Sequence, residues 1–155
     1  MAISTNDLVR KFGTQDTVTS SSAAVSSAAY SVAGSITEWT NDDDAPEASF
    51  VLTMQYPSGT ITTGGIQLLC RLKDVDGTGD EPSLTSSWIG HFLGSFVTGT
   101  GMSATTNYSI ELGPIELPVS YTSNKYEFYI LNSCGVTISA GWTLKVTPIS
   151  VGPKA

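Results

Sequence analysis

The sequence predicts an all-β fold: a single antiparallel β-sandwich, jelly-roll-like, of about eight strands. Apolar and polar residues alternate with a period of two in several short runs, and clusters rich in Gly, Asp, Asn and Ser separate these runs. No stretch of useful length has the 3.6-residue period of an amphipathic helix, which excludes βαβ architectures. Eight strands favour a jelly roll over the seven-stranded immunoglobulin pattern, whose Cys–Trp–Cys spacing is missing here.

The composition is typical of such a sandwich. The 155 residues suffice for one domain with a sizeable core, and 40% of them are hydrophobic. Only 14% are charged, well below the usual share of about a quarter. Ser, Thr and Gly supply the polarity instead, which suits solvent-facing strands and frequent turns.

The charge and the cysteines limit the possible partners and compartments. A net charge of −7, with scattered Lys and Arg, argues against nucleic acid and against anionic membranes. No apolar run is long enough to span a bilayer, and no signal-peptide pattern opens the chain. We therefore expect that the protein is made and kept in a cytoplasm, or is released by lysis. Cys70 and Cys134 do not make a disulfide framework, and we expect both to be reduced.

The first 27 residues differ from the rest, so we divide the chain into an extended N-terminal arm, 1–27, and a sandwich domain, 28–155. "TVTSSSAAVSSAA" (17–29) has no charge and few residues to bury. One interpretation is an unstructured tail, and the other is an arm that becomes ordered against a partner subunit. In the second case, the candidate contact residues are the apolar ones, Leu8, Val9, Phe12 and Val18.

The predicted strands begin with "AYSVAGSITEW" (29–39), where Tyr30, Val32 and Ile36 occupy strand-like positions. "ASFVLTMQY" (48–56) and "GIQLLCRLK" (65–73) alternate, which predicts strands with one buried face. The residues predicted to point inward from these two runs are Phe50, Leu52, Met54 and Tyr56, then Ile66, Leu68, Cys70 and Leu72.

The later strands follow the same pattern. The glycines of "SSWIGHFLGSFV" (86–97) predict a bulge or a close backbone approach. "NYSIELGPIELP" (107–118) reads as two short strands broken at Gly113-Pro114. "KYEFYIL" (125–131) sets Tyr126, Phe128 and Ile130 on one face. "GVTIS" (135–139) and "GWTLKVTPI" (141–149) predict a final hairpin, with the inward residues Trp142, Leu144 and Val146.

The acidic stretch "DVDGTGDEP" (74–82) raises the question of a metal site, for which Asp74, Asp76 and Asp80 are weak candidates. An EF-hand loop starting at Asp74 requires a bidentate Glu at position 12, where this chain has Thr85, and no helices flank it. The Asp-Gly pair favours a tight turn instead. We therefore predict an inter-strand turn and no metal.

Few residues suit catalysis. His91 is the single histidine, and no Gly-x-Ser-x-Gly elbow accompanies it. One histidine and two distant cysteines do not make a zinc site. Glu111, Glu116 and Glu127 lie on strands with exposed-face spacing, so a pair for glycoside hydrolysis is not favoured. We predict that the protein is not an enzyme and has no cofactor.

Trp39, Trp88 and Trp142 offer a different interpretation, a platform on which sugar rings stack, as in carbohydrate-binding modules. Trp142 continues an inward set and is better explained as a core residue. This interpretation supports the alternative function, a receptor- or glycan-binding β-sandwich.

Three stretches resemble a known group of proteins: "WTNDDDAPEASFVL" (39–52), "KYEFYI" (125–130) and "SAGWTLKVTPISVGPKA" (139–155). They are similar to stretches of small virion structural proteins encoded in tailed-phage structural gene clusters. The likeness covers the chain from about residue 28 to its end and is most specific at "TNDDDAP" and "AGWTLKVTP".

The resemblance implies a non-enzymatic virion component made in the host cytoplasm. Capsid decoration, or cement, proteins of this size are often β-sandwiches on the outer capsid surface that bridge neighbouring subunits of the major capsid protein. The expected partners are therefore the major capsid protein and copies of this chain, as a dimer or trimer. The alternative is a receptor- or glycan-binding module on a phage tail or fibre.

Overall fold

The computed structural model describes residues 8–19, 22–31, 37–55, 65–74, 78–85, 89–99, 105–119 and 123–153. These ranges contain strands and no helix, so none of the described residues forms a helix suited to crossing a membrane. The strands are β1 (Leu8–Phe12), β2 (Asp16–Thr17), β3 (Ala29–Tyr30), β4 (Trp39–Thr40), β5 (Glu47–Gln55), β6 (Ile66–Lys73), β7 (His91–Phe96), β8 (Asn107–Glu116), β9 (Lys125–Asn132) and β10 (Thr143–Pro153).

The strands form two antiparallel sheets that pack together as a β-sandwich, which confirms the predicted fold class. The first sheet has the order β1-β10-β5-β8, and β2 joins β10 on the same side as β1. The second has the order β3-β9-β6-β7, and β4 joins β9 on the same side as β3. Each sheet therefore has four strand positions, and the sandwich has eight.

The eight positions are paired in a nested way along the chain. The first position (β1 and β2) pairs with the last strand, β10, and the second (β3 and β4) pairs with β9. Inside these, β5 pairs with β8 and β6 pairs with β7. The β10–β5 and β9–β6 ladders then join the four pairs into two sheets.

The inner faces of the sheets form the core, and the predicted inward residues supply most of it. Phe50 of the first sheet meets Phe128 of the second edge to face, with ring centroids 5.0 Å apart. Full burial of each large apolar side chain contributes roughly 1.5–3 kcal/mol. Tyr56, Val32 and Ile36 lie outside the described residues, and the other inward predictions are confirmed as buried: Phe50, Leu52, Met54, Ile66, Leu68, Cys70, Leu72, Tyr126, Phe128, Ile130, Trp142, Leu144 and Val146.

The run at 107–118 differs from its prediction because β8 continues through Gly113-Pro114 as one strand. The ladder shifts by one residue between Ala48 and Phe50 of β5, so a bulge absorbs the irregularity. Gly113 has φ +125°, and an added Cβ would lie 2.9 Å from both the Ala48 carbonyl oxygen and Ser49 Cα. Glycine therefore keeps the strand intact where a side chain would not fit. At β7, the predicted bulge is confirmed opposite Leu68 and Leu69.

The predicted final hairpin is wrong, because Ile138 pairs with Val25 instead of with β10. The two residues exchange both backbone hydrogen bonds at 2.9 Å. The N-terminal segment also bonds to Trp142, whose indole nitrogen donates to the Ala23 carbonyl at 2.9 Å and whose carbonyl accepts from the Ser22 hydroxyl at 2.6 Å.

The described part of residues 1–27 is therefore an edge of the sandwich, not an arm separate from residues 28–155. β1 and β2 pair with β10, and Val18 and Val25 are only 2% and 1% exposed. The Val18 amide donates to the Leu144 carbonyl at 2.9 Å. Composition underestimated this segment because backbone bonds need no particular side chains, and two well-spaced valines are enough to join the core.

A hydrogen bond between side chains connects the two sheets beside this edge. The indole nitrogen of Trp39, on β4, donates to Asp16 Oδ2, on β2, at 3.0 Å. The Trp39 ring packs 5.8 Å from Tyr126 and 5.7 Å from Phe128. Trp39 is thus a core residue that holds the edge of the first sheet against the second.

The burial of Val18 leads to the first prediction. Val18→Ala is expected to lower the free energy of unfolding by about 2 kcal/mol, because it leaves a cavity in the core. Leu8→Ala, in the same segment but exposed, should change it by less than about 0.5 kcal/mol. Urea unfolding of both variants measures the difference, and equal effects would show that residue 18 is not packed in the core.

Candidate functional site

The outer face of the second sheet carries a network of charged side chains. Arg71 Nε lies 2.7 Å from Glu127 Oε2, across the β6–β9 ladder. The Tyr129 hydroxyl donates to the same oxygen at 2.6 Å, and Lys73 Nζ lies 3.5 Å from Glu127 Oε1. Although these side chains point away from the core, Arg71 is 8% exposed and Tyr129 is 3% exposed.

The segment 78–85 covers this network. The Arg71 guanidinium donates to the Glu81 carbonyl at 2.9 Å and to the Ser83 hydroxyl at 3.2 Å. The Glu81 carboxylate accepts the Leu72 amide at 2.8 Å, and its other oxygen lies 2.8 Å from His91 Nε2. The arginine therefore attaches the loop to the sheet, and the loop shields the arginine from water.

The network stabilises the charged forms of Glu127 and Lys73 and the neutral form of Tyr129. Burial tends to raise the pKa of Glu127, but the hydrogen bonds from Arg71 and Tyr129 and the nearby positive charges outweigh it, so the pKa lies below its ordinary value. The hydrogen bond to Asp80 raises the pKa of Lys73. Burial and the bond to Glu127 raise the pKa of Tyr129. The contacts of the network therefore favour an ionised Glu127 next to a charged Lys73.

The candidate metal ligands of the acidic loop are engaged by lysines. The Lys73 ammonium binds the Asp80 carboxylate, which also accepts the Asp74 amide at 2.7 Å. Lys125 Nζ lies 2.7 Å from Asp74 Oδ2 and 3.5 Å from Glu38 Oε1. Asp76 lies outside the described residues. Among the residues that are described, no three His, Cys, Asp or Glu side chains are placed to hold a metal ion.

The residues considered for catalysis are placed apart. His91 contacts Glu81, as described above, while Glu127 belongs to the charged network. Glu111 and Glu116 lie on the exposed side of β8. Cys70 and Cys134 are both free and buried, and burial raises the pKa of each thiol.

The two tryptophans in the described ranges, Trp39 and Trp142, do not form the platform that a sugar-binding interpretation requires. Trp39 is 5% exposed and Trp142 is 1% exposed, and both pack in the core between the sheets. Trp88 lies outside the described residues. The two described rings therefore stabilise the fold and present no face to a ligand.

Exposed apolar side chains lie mainly in two places: at and around β7 (Ile89, Phe92 and Val97) and where the first strand meets the last. Leu8 and Phe12 of β1 are 72% and 69% exposed, and Val151 of β10 is 53% exposed. The register places Leu8, Arg10 and Phe12 opposite Pro153, Val151 and Ile149, so their side chains share one face. We call Leu8, Arg10, Phe12 and Val151 the β1 surface.

The β1 surface lies partly on a two-stranded ribbon. β10 pairs with β5 only as far as Ile149, whereas it pairs with β1 as far as Pro153. Arg10 Nη2 lies 3.2 Å from Glu47 Oε2, which fixes the ribbon to the outer face of the first sheet. An apolar patch on a projecting edge is typical of an interaction site.

The four residues predicted to contact a partner lie in different parts of the structure. Leu8 and Phe12 belong to the β1 surface, Val9 lies on the opposite side of the ribbon, and Val18 is in the core and is not free to bind a partner. Sequence reasoning missed Arg10 and Val151. Alternation over residues 8–12 gives a signal for Arg10, but only the β1–β10 register reveals Val151.

The chain matches no family model, and comparisons with curated proteins and with solved structures give no match.

The charged network leads to the second prediction. Glu127→Gln is expected to lower the free energy of unfolding by about 3 kcal/mol at pH 7, because Arg71 and Lys73 lose their shared carboxylate. Glu111→Gln, on the exposed side of β8, is the matched control and should have little effect.

The same pair of variants gives a pH dependence. The pKa of Glu127 is lowered by folding, so its contribution is present above the ordinary value of 4.5 and is lost as the pH falls through the folded value. The difference between wild type and Glu127→Gln should therefore shrink in acid, as measured by urea unfolding from pH 7 to pH 3. A difference that does not change with pH would contradict this role.

The acidic loop leads to the third prediction. Calcium binding at Asp74 and Asp80 would require breaking their bonds to Lys125 and Lys73, so isothermal titration with calcium chloride should show no micromolar binding. Asp80→Asn should loosen the loop and lower the Tm without changing the titration. Micromolar heat that disappears in Asp80→Asn would establish a calcium site.

Proposed function

We propose that this chain is a non-enzymatic structural protein of a tailed-phage virion, a decoration or cement protein of the outer capsid surface. It would bridge and stabilise neighbouring subunits of the major capsid protein. The β1 surface is the observation that carries the proposal, because it combines exposed apolar side chains with a strand at the edge of a sheet. The sequence resemblance at 39–52, 125–130 and 139–155 supports the same assignment.

The distribution of charges and apolar residues supports a bridging role. On the second sheet, Arg71, Lys73 and Lys125 are paired with carboxylates of the same chain. At its β7 edge the second sheet also exposes Phe92, and the first sheet presents Leu8 and Phe12 to the outside. A partner that docks there gains apolar burial at about 25 cal/mol per Å² without breaking the charged network.

We further infer that the sandwich is a jelly roll. Numbered by position, the two sheets have the orders one-eight-three-six and two-seven-four-five. This order results when one long antiparallel ribbon, with its first strand paired to its last, wraps around a core. Two sheets of four strands with such connections make a jelly roll, an architecture found in viral capsid proteins and in lectins. Proteins of one fold have many unrelated functions, so the proposed capsid function depends mainly on the β1 surface.

Copies of this chain are included among the partners because decoration occurs on a repeating lattice. Many weak contacts on one shell act together, since each bound copy raises the effective concentration of the next contact. The partners are thus the major capsid protein and, as a dimer or trimer, the chain itself.

The fourth prediction tests the location. Purified protein is mixed with shells assembled from the major capsid protein of the same genome and sedimented through sucrose, and the bound particles are imaged by cryo-electron microscopy. We expect saturable binding and ordered density on the outer surface. Leu8→Ser combined with Phe12→Ser should bind at least about tenfold more weakly, because both side chains lose apolar contact area.

The matched control is Val97→Ser, an exposed valine beyond β7 in the second sheet, which should bind as wild type does. Wild-type protein that leaves the shells bare, or that is found on tails or fibres of intact virions, would contradict the capsid assignment. Specific binding on a glycan array would then favour the receptor-binding alternative.

A further inference from the structure

The backbone of β1 has one paired side and one side that faces away from β10. The Gly13 amide donates to the Pro148 carbonyl at 2.9 Å, just beyond the paired residues Phe12 and Ile149. In an antiparallel ladder, hydrogen-bonded pairs alternate with non-bonded pairs. Val9 and Lys11 therefore bond to β10, whereas the N–H and C=O groups of Leu8, Arg10 and Phe12 point away from it.

The groups that point outward belong to the residues of the β1 surface. β1 ends the strand order of the first sheet, and no described strand pairs with its outer side. The other end of that sheet, β8, is interrupted by a bulge and by Pro114, which has no amide hydrogen. Among the described strands of the first sheet, β1 is thus the edge that offers a regular ladder.

β1 carries two basic residues, Arg10 and Lys11, in an acidic chain. The chain has seven Lys and Arg against fourteen Asp and Glu. Arg71, Lys73 and Lys125 are bound within the charged network. The remaining four basic residues lie on β1, on β10 or directly after β10 in the sequence: Arg10, Lys11, Lys145 and Lys154. Of these, Arg10 has a described partner, Glu47.

We propose that an extended acidic segment of the major capsid protein adds to the outer edge of β1 as a further strand of the first sheet. Its backbone would bond to Leu8, Arg10 and Phe12, which gives affinity without a particular sequence. Its side chains would alternate, with apolar residues on the face of Leu8 and Phe12 and carboxylates on the opposite face, beside Lys11. The partner's chemistry is therefore an extended segment in which apolar and acidic residues alternate.

A second copy of this chain is a poorer occupant of the edge. Two copies could pair their β1 strands in antiparallel fashion through the backbone groups that point outward. The ladder would then be centred on Val9, Arg10 or Lys11. The register centred on Arg10 places Arg10 opposite Arg10, and the one centred on Lys11 places Lys11 opposite Lys11. The register centred on Val9 makes the two Arg10 side chains diagonal neighbours. Like charges in such positions destabilise a sheet. The edge thus favours an acidic partner over itself.

Amide hydrogen exchange tests the proposal on the full chain bound to shells. In the free protein, the amides of Arg10 and Phe12 should exchange rapidly, and those of Val9 and Lys11 slowly. Binding should slow Arg10 and Phe12 at least about tenfold, because each gains a hydrogen bond. Exchange is stopped at intervals, the particles are dissolved, and single amides are resolved by mass spectrometry.

The inference rests on the proposed capsid function for the source of the strand, and two failures can be told apart. Shells that do not bind the protein contradict the capsid function. Shells that bind it while the amides of Arg10 and Phe12 keep their free rates overturn strand addition and leave the capsid function standing.

A peptide tests the edge without shells. The probe is an eight-residue peptide of alternating Val and Glu, and its Val-Lys counterpart is the control. The Val-Glu peptide should slow exchange at Arg10 and Phe12, and the Val-Lys peptide should not. Equal effects of the two peptides, or no effect of either, would overturn the proposed partner chemistry.

A variant with reversed charges tests whether the charge of β1 selects the partner. Arg10→Glu with Lys11→Glu should reverse the preference, so that the Val-Lys peptide protects the edge and the Val-Glu peptide does not. Lys145→Glu, on the same sheet but not on its edge, is the matched control and should keep the wild-type preference. If neither peptide protects the edge of the double variant, and its Tm is unchanged, recognition by charge is contradicted.

Discussion

Packing between the inner faces of the two sheets is the constraint on which the rest of the structure depends. Phe50 and Phe128 meet near the middle of this core, and each comes from a strand with neighbours on both sides. Because successive side chains of a strand point to opposite faces, a register slip of one residue would turn an entire inward set toward water. The core therefore fixes the registers, and the registers determine which side chains meet outside.

The sequence predicts the central strands well because their signal is local. Alternation in β5, β6 and β9 identifies both the strands and their buried faces, since period-two spacing follows from strand geometry alone. The choice of partner is not local. Nothing in "GVTIS" indicates that Ile138 would pair with Val25, over a hundred residues earlier, instead of with the adjacent β10. For the same reason, composition made residues 1–27 resemble an arm, whereas their described part pairs with β10 at the edge of the first sheet.

The candidate site shows the same difference between local features, which the sequence predicts, and long-range contacts, which it does not. The sequence predicts that "DVDGTGDEP" is a loop, and the described part of it is one. It does not predict that the loop covers Arg71, because the contact of Arg71 with Glu127 joins residues 56 positions apart. The alternation of β6 puts Arg71 on the face away from the core, and the loop turns this part of the outer face into a small polar interior. The β1 surface likewise depends on the pairing of the first strand with the last.

The nested pairing has a consequence for how the chain reaches its fold. Leu8 lies opposite Pro153, so the outermost ladder joins the two ends of the described chain. During synthesis at about 5–20 residues per second, the first strand emerges long before its neighbour exists. Contacts of such long range are formed late and slow the folding of β-sandwiches. In the nascent chain, Leu8 and Phe12 must therefore stay out of premature contacts until the last strand arrives and sets the edge on which they are displayed.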